Sequence, residues 1–228
     1  MPSPALRSAF EAHRHRHAED ADPDWCASLL GPGEARAEAE AFVADVYRER
    51  FDASLRSFMP WLLCFRDRQG ELLAVVGLRP AESAPLFVEQ YLDHGAEQAV
   101  AQALARPVDR ESMIEVGGLA ARRAGDARRL ILCLTRGLHE AGRRWVLFAA
   151  TRQLRNAFDR LGLRTVALAP ALRERLRDDG TDWGRYYDSQ PLLVCGDVAS
   201  GAAFLDSEAA APRKSARRGV MAVVEHGT

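Results

Sequence analysis

Met113-Ile114-Glu115-Val116-Gly117-Gly118-Leu119, with Arg122-Arg123-Ala124-Gly125-Asp126-Ala127 close behind it, decides the fold of this chain. The first run is of strand length and mostly apolar; the second supplies cations, a glycine and a helix start. Over residues 110–163 the order is strand, Arg/Gly loop, amphipathic helix, strand, then a short helix closing on Phe158-Asp159-Arg160-Leu161-Gly162-Leu163. That order sets a helix N-terminus suited to a phosphate beside a carboxylate, Glu115, inside a buried strand.

Working outward, Asp126 reads as the N-cap of a helix reaching about residue 141. Leu130, Leu134 and Leu138 recur along it with Ile131 beside them, and Gly142 ends it. Strands are predicted over 145–150, 165–168 and 192–194, a helix over 152–161 and a shorter helix over 171–177. Upstream, Ala37, Ala41, Val43, Val46, Tyr47 and Phe51 form an apolar stripe for a helix ending near 51. Two strands, 60–65 and 72–78, are joined through Asp67-Arg68-Gln69-Gly70 as a hairpin, with Gly70 free to take positive φ. Segments 86–92 and 96–105 have helical patterns. The domain spans 34–204, preceded by a loosely structured lead-in at 1–33 and followed by a disordered tail at 205–228.

The 31 basic and 32 acidic residues nearly balance, which argues against nucleic acid as a partner held by bulk charge. Lys214 is the only lysine and lies in the tail, so Schiff-base chemistry is not expected. Cys26, Cys64, Cys133 and Cys195 are widely spaced, read as thiols in a reducing compartment, and give no zinc quartet. His13, His15 and His17 read as a solvated basic patch rather than a metal site, so no metal is expected. With no apolar signal core and no run of about 20 apolar residues, the expectation is a cytoplasmic protein without stable membrane insertion.

The order of elements resembles the GNAT acyltransferase fold, an α/β architecture with a central mixed sheet flanked by helices. In that family the acyl-coenzyme A pyrophosphate sits on a loop whose pattern Arg122, Gly125 and Ala127 match. Phe158 to Leu163 resembles the Tyr-x-x-Leu-Gly-Phe ending of the next helix, with Phe158 in place of the tyrosine that protonates the leaving thiolate and Thr151 in place of an upstream Asn. Phe158 cannot donate a proton, so the acid either comes from elsewhere or is dispensable, a thiolate of pKa about 8.5 being a tolerable leaving group.

A resemblance to the thermostable hemolysin family covers most of the chain. It is carried by Val76 to Arg79, Leu86 to Asp93, Ile114 to Ala120, Leu154 to Phe158 and Trp183 to Tyr187. The family's Gly-Asn-Leu-Ala stands here as Gly117-Gly118-Leu119-Ala120. The layout is also similar to acyl-homoserine-lactone synthases, where Arg79 and Glu115 match an Arg and a Glu that serve the amine substrate. Their Ser-Arg pair is replaced by Gly117-Gly118, so homoserine-lactone synthesis from S-adenosylmethionine is not implied.

These resemblances imply an acyltransferase moving an acyl group from coenzyme A or acyl carrier protein to a small-molecule amine. They assign the donor to Leu119, Ala121, Arg122, Arg123, Gly125, Ala127, Thr151 and Asn156. Glu115 and Arg79 either handle the amine or form a purely structural buried pair. Arg122, Arg123, Arg128 and Arg129 either clamp a pyrophosphate, face an acidic carrier or are solvated. Asp126 opposes an anion at the same helix start. Glu89 is assigned to the substrate pocket, and Trp183, Tyr186 and Tyr187 to a lid with a substitute acid or to plain packing. A membrane-damaging protein and a catalytically degenerate binding module are the other two readings.

Overall fold

The Asp67 to Gly70 turn folds the chain back on itself because Gly70 adopts φ +90°, and the flanking apolar runs pair as an antiparallel hairpin. The computed structural model describes residues 6–10 and 25–210, the side chains as far as 207. Its strands are β1 (Trp25–Leu30), β2 (Trp61–Asp67), β3 (Leu72–Pro80), β4 (Met113–Ala121), β5 (Trp145–Ala150), β6 (Thr165–Pro170) and β7 (Leu192–Asp197). They form one sheet in the order β1-β2-β3-β4-β5-β7-β6. Every neighbouring pair is antiparallel except β4 with β5, which are parallel. The parallel pair requires a crossover, and the helix predicted after the Arg/Gly loop provides it.

The helices are α1 (Ala37–Phe51), α2 (Ala96–Leu104), α3 (Ala124–Glu140), α4 (Arg152–Arg160) and α5 (Val198–Ala210). Alternation along the central strands divides the core between the sheet's two faces. Met113, Leu147 and Leu193 pack with Ala96 and Val100 of α2, and Leu62, Val75 and Ala120 pack with Val43 and Val46 of α1. On the other face Ile114, Phe148 and Val194 pack with Leu130, Leu134 and Leu138 of α3.

The structure corrects several expectations. Residues 25–30, assigned to the loose lead-in, form edge strand β1 with Ala27 and Leu29 buried. Pro32-Gly33 forms the turn that follows that strand, with Gly33 at φ +82°. Leu6 and Phe10, in a helical piece at 6–10, are buried as well, Phe10 against Gly137, where a Cβ would meet its ring at 2.3 Å. The expected tail is helical to Ala210 because Ala202 and Leu205 pack inward. The 86–92 and 171–177 segments form only 3-10 turns, Phe87–Tyr91 and Arg173–Arg175, since segments this short seldom propagate an α-helix. His13, His15 and His17 and residues 211–228 lie outside the described residues. Among the described residues no helix is long and apolar enough to cross a membrane and no cluster of side chains could hold a metal ion.

Candidate active site

β4 and β5 pair only at Met113 with Trp145, Ile114 with Val146 and Glu115 with Leu147. Beyond that point β4 stays with β3 and β5 with β7, so the two parallel strands fork at Glu115. A β-bulge accompanies the fork: Val75 faces Ala120 and Gly77 faces Gly117, so Val76 alone spans Gly118 and Leu119. Gly118 has φ +60°, a left-handed conformation that glycine adopts freely and asparagine tolerates better than most residues. The Gly118 substitution in the family's Gly-Asn-Leu-Ala is therefore a backbone equivalence as much as the loss of a polar group.

A cavity of about 1270 Å³ occupies the fork and is lined from both faces of the sheet, by Glu115, Met59, Tyr91 and Trp183 on one and by Ala127, Ile131, Leu154 and Phe158 on the other. Glu115 is 1% exposed. Its oxygens accept the backbone N–H groups of Phe87 at 2.7 Å and Val88 at 3.2 Å. Burial pushes its carboxyl up to about 7 against the opposing pull of Arg79 and those two N–H groups. Arg79 stands opposite Glu115 in register, and the attraction between them is through space. The Arg79 guanidinium donates to the Pro85 carbonyl at 3.1 Å, and its Nε is buried without a partner. The expected pair thus exists as neighbours, while the hydrogen bonds to the carboxylate come from the backbone.

Those backbone donors are held by a clamp that the sequence reading missed. Glu89 accepts from Leu86 N at 2.8 Å and Ala96 N at 3.0 Å, fixing both ends of the Phe87–Tyr91 turn. Arg110 grips Glu89 through contacts of 2.5 and 3.0 Å and Glu97 through one of 2.7 Å. Burial would raise Glu89, but Arg110 and the two N–H groups prevail and bring it to about 2. Glu89 is consequently an anion at neutral pH that braces the pocket, not a proton acceptor.

The aromatic loop forms the opposite wall. Tyr187 and Tyr91 share a hydroxyl hydrogen bond at 2.6 Å, and Tyr186 donates to the Ala149 carbonyl at 3.3 Å while stacking near Tyr47. Ser54 and Asp182 exchange backbone hydrogen bonds of 2.6 and 3.1 Å, and Arg185 N reaches Phe51 O at 2.7 Å, pinning the loop to the end of α1. Gly184 permits that approach, since a Cβ there would lie 2.2 Å from the Phe51 carbonyl oxygen. Burial pushes Tyr187 up to about 12 and Tyr186 well above its usual value. Both phenols therefore keep their protons at neutral pH, that of Tyr186 committed to the Ala149 carbonyl.

The residues expected at the donor are divided. Leu119, Ala127 and Thr151 line the cavity; Ala121, Arg122, Arg123, Gly125 and Asn156 do not. Asp126 is not the N-cap of α3: Arg123 holds that position, and Asp126 falls in the first turn. Arg122 pairs with Glu49 at 3.1 Å and lies 5.5 Å from the Phe42 ring, while Gly125 faces open space. The Ala121 carbonyl accepts from Arg50. Thr151 caps α4 by accepting from Leu154 N at 3.3 Å, and Asn156 is exposed.

A mixed seven-stranded sheet that forks beside a bulged β4 is the GNAT-like fold of acyltransferases. Residues 32–202 match the model of the thermostable hemolysin family, and the chain belongs to that family. Among solved structures, FeeM, an N-acyl amino acid synthase from uncultured soil microbes, superposes with a TM-score of 0.54 at 12% identity, covering 80% of this chain and 94% of that one. The acyl-homoserine-lactone synthase LasI gives 0.53 at 12%, covering 78% and 91%. BjaI, a CoA-dependent acyl-homoserine lactone synthase solved with SAM and isopentyl-CoA, gives 0.51 at 13%, covering 79% and 87%. At these identities the likeness is one of fold. No curated protein matches the chain.

Proposed function

We propose that this protein is an acyltransferase that moves an acyl group from a thioester, coenzyme A or acyl carrier protein, to the amine of a small molecule. The observation that carries this reading is the placement of Glu115, a buried carboxylate raised to about 7, at the apex of a strand fork that opens into the cavity. An amine attacks a thioester only when unprotonated, and a base near pH 7 suits an α-amine of pKa about 7.7–8.0 far better than an alkylamine near 10.4. The amine nitrogen bonds to the thioester carbonyl carbon, its proton passes to Glu115, and the C–S bond breaks to release a thiolate that takes a proton from water.

In this scheme Arg79 holds the acceptor beside Glu115, and the Tyr91 and Tyr187 hydroxyls offer hydrogen bonds at the cavity wall. The thioester enters along Leu119 and Thr151, and the exposed Arg123 and Gly125 at the start of α3 meet the donor's phosphate groups outside the cavity. The shared fold with an N-acyl amino acid synthase and with a synthase solved with isopentyl-CoA supports a thioester donor and an amine acceptor. Incubation with acyl-coenzyme A or acyl carrier protein and a pool of amino acids, reading thiol release and N-acylated product, tests the proposal. Amine-dependent thiol release that disappears in Glu115→Gln is expected; no release from either donor overturns it.

A further inference from the structure

Next to Glu115 the central sheet carries two glycines face to face. Gly77 of β3 is in register with Gly117 of β4, and Arg79 with Glu115, so by alternation all four positions lie on one face of the sheet. Glycine inside a strand weakens it and marks a close approach by another group. Neither glycine has a positive φ, so what each provides is space rather than backbone freedom. The group that uses the space is Met59, from the segment between α1 and β2. A Cβ on Gly77 would lie 2.4 Å from the Met59 Cβ and Cγ, and one on Gly117 would lie 2.5 Å from its Cε. The Met59 side chain therefore lies across both strands, with its methyl end over a position about 7 Å along β4 from Glu115.

The backbone at Met59 is bolted down while its side chain keeps its freedom. Arg36 donates to the Met59 carbonyl at 2.5 Å and to the Pro60 carbonyl at 2.6 Å, and is itself held by Glu40 at 2.6 Å. Met59 is only partly buried and lines the cavity, and an unbranched thioether with three rotatable bonds repacks readily against different shapes. The other walls near the carboxylate are stiff. Glu89 fixes both ends of the Phe87–Tyr91 turn, and Trp183 packs among Phe87, Tyr186 and Tyr187 with ring centroids 5.9, 5.6 and 5.9 Å away. An amine that gives its proton to Glu115 carries a substituent, and the adaptable wall that this substituent meets is the Met59 tip. We infer that Met59 is the specificity-determining residue for the acceptor, a movable stop over the glycine pair that sets how large a group the amine may carry. The inference rests on the acyltransferase reading for the amine alone.

Competition between L-alanine and L-phenylalanine for transfer, from whichever of acyl-coenzyme A and acyl carrier protein releases thiol, tests it on the full chain. A single methylene in an apolar pocket already discriminates by about 10- to 200-fold, so Met59→Ala should raise the preference for phenylalanine over alanine by at least about tenfold. Met59→Leu, which withdraws the methyl over Gly117, repeats the comparison should the alanine variant melt early. Nuclear magnetic resonance of protein labelled at the methionine methyls reads the contact without turnover: the signal missing from Met59→Leu should shift on titration with either amino acid. An unchanged preference in a folded variant, or a Met59 methyl that neither amino acid shifts, overturns the inference. A shifted methyl with no thiol release from either donor would leave the stop standing and count against the acyltransferase reading; amine-dependent thiol release with an unmoved methyl would do the reverse.

Discussion

On the Glu115 side of the cavity, the carboxylate takes two backbone hydrogen bonds, Arg110 grips both Glu89 and Glu97, and a loop of aromatic residues is pinned to α1 by backbone bonds. On the α4 side Leu154, Ala157 and Phe158 stand partly covered, on a helix that buries nothing completely. One wall fixes charges and donors in place; the other offers unfilled apolar surface. In the proposed reaction the two walls have opposite tasks: the Glu115 side sets a polar geometry in advance, and the α4 side contributes apolar surface.

The comparison breaks most sharply at Glu115. Glu115→Gln should lower turnover by about 10² to 10⁴ in steady-state assays, the range for losing a general base. In the wild type kcat/KM should rise with pH through about 7 as the carboxylate ionises, and the variant should lose that break. Stability runs the other way. A carboxyl raised in the folded state from 4.5 to about 7 contributes stability that is fully present below 4.5 and lost as pH climbs through 7. Melting temperatures of wild type relative to Glu115→Gln should therefore fall between those two values.

Next in size is the clamp. Arg110→Ala leaves two carboxylates unpaired beneath the Phe87–Tyr91 turn and should cost about 2 kcal/mol in denaturant unfolding. Activity should fall further than the loss of folded protein explains, because the turn presents the donors to Glu115. The bulge gives a smaller effect that separates shape from space. A Cβ at Gly118 would sit 3.7 Å from Val43, an ordinary contact, so conformation alone decides. Gly118→Val should cost roughly 1–2 kcal/mol, and Gly118→Asn clearly less. Smallest is Phe158→Tyr. Supplying the tyrosine hydroxyl of the GNAT ending should leave turnover within about threefold, whereas a site short of an acid would speed up by at least about tenfold.

Strand β4, the crossover helix and the hairpin were legible because apolar periodicity and a glycine turn mark them directly. The buried position of Glu115 was legible too, from a carboxylate set in an apolar run. Its partners were not, since the N–H groups of Phe87 and Val88 belong to the backbone and leave no trace in side-chain identity. Arg110 was hidden because its two carboxylates lie 21 and 13 residues upstream, outside any local spacing rule. The alternation in Trp25 to Leu30 was readable, with buried Ala27 and Leu29, but the flanking prolines and glycine drew the segment into a loop reading. Asp126 shows the opposite fault: a good capping residue that tertiary structure placed inside the first turn.

If the strand fork carries an acyl transfer, the product forms only with Glu115 in place, and mass spectrometry of lipid extracts from cells expressing the protein or its Glu115→Gln variant reads that product. An N-acylated amine is expected in the first extract and not in the second. Identical extracts from the two, with both proteins folded and abundant, would contradict it.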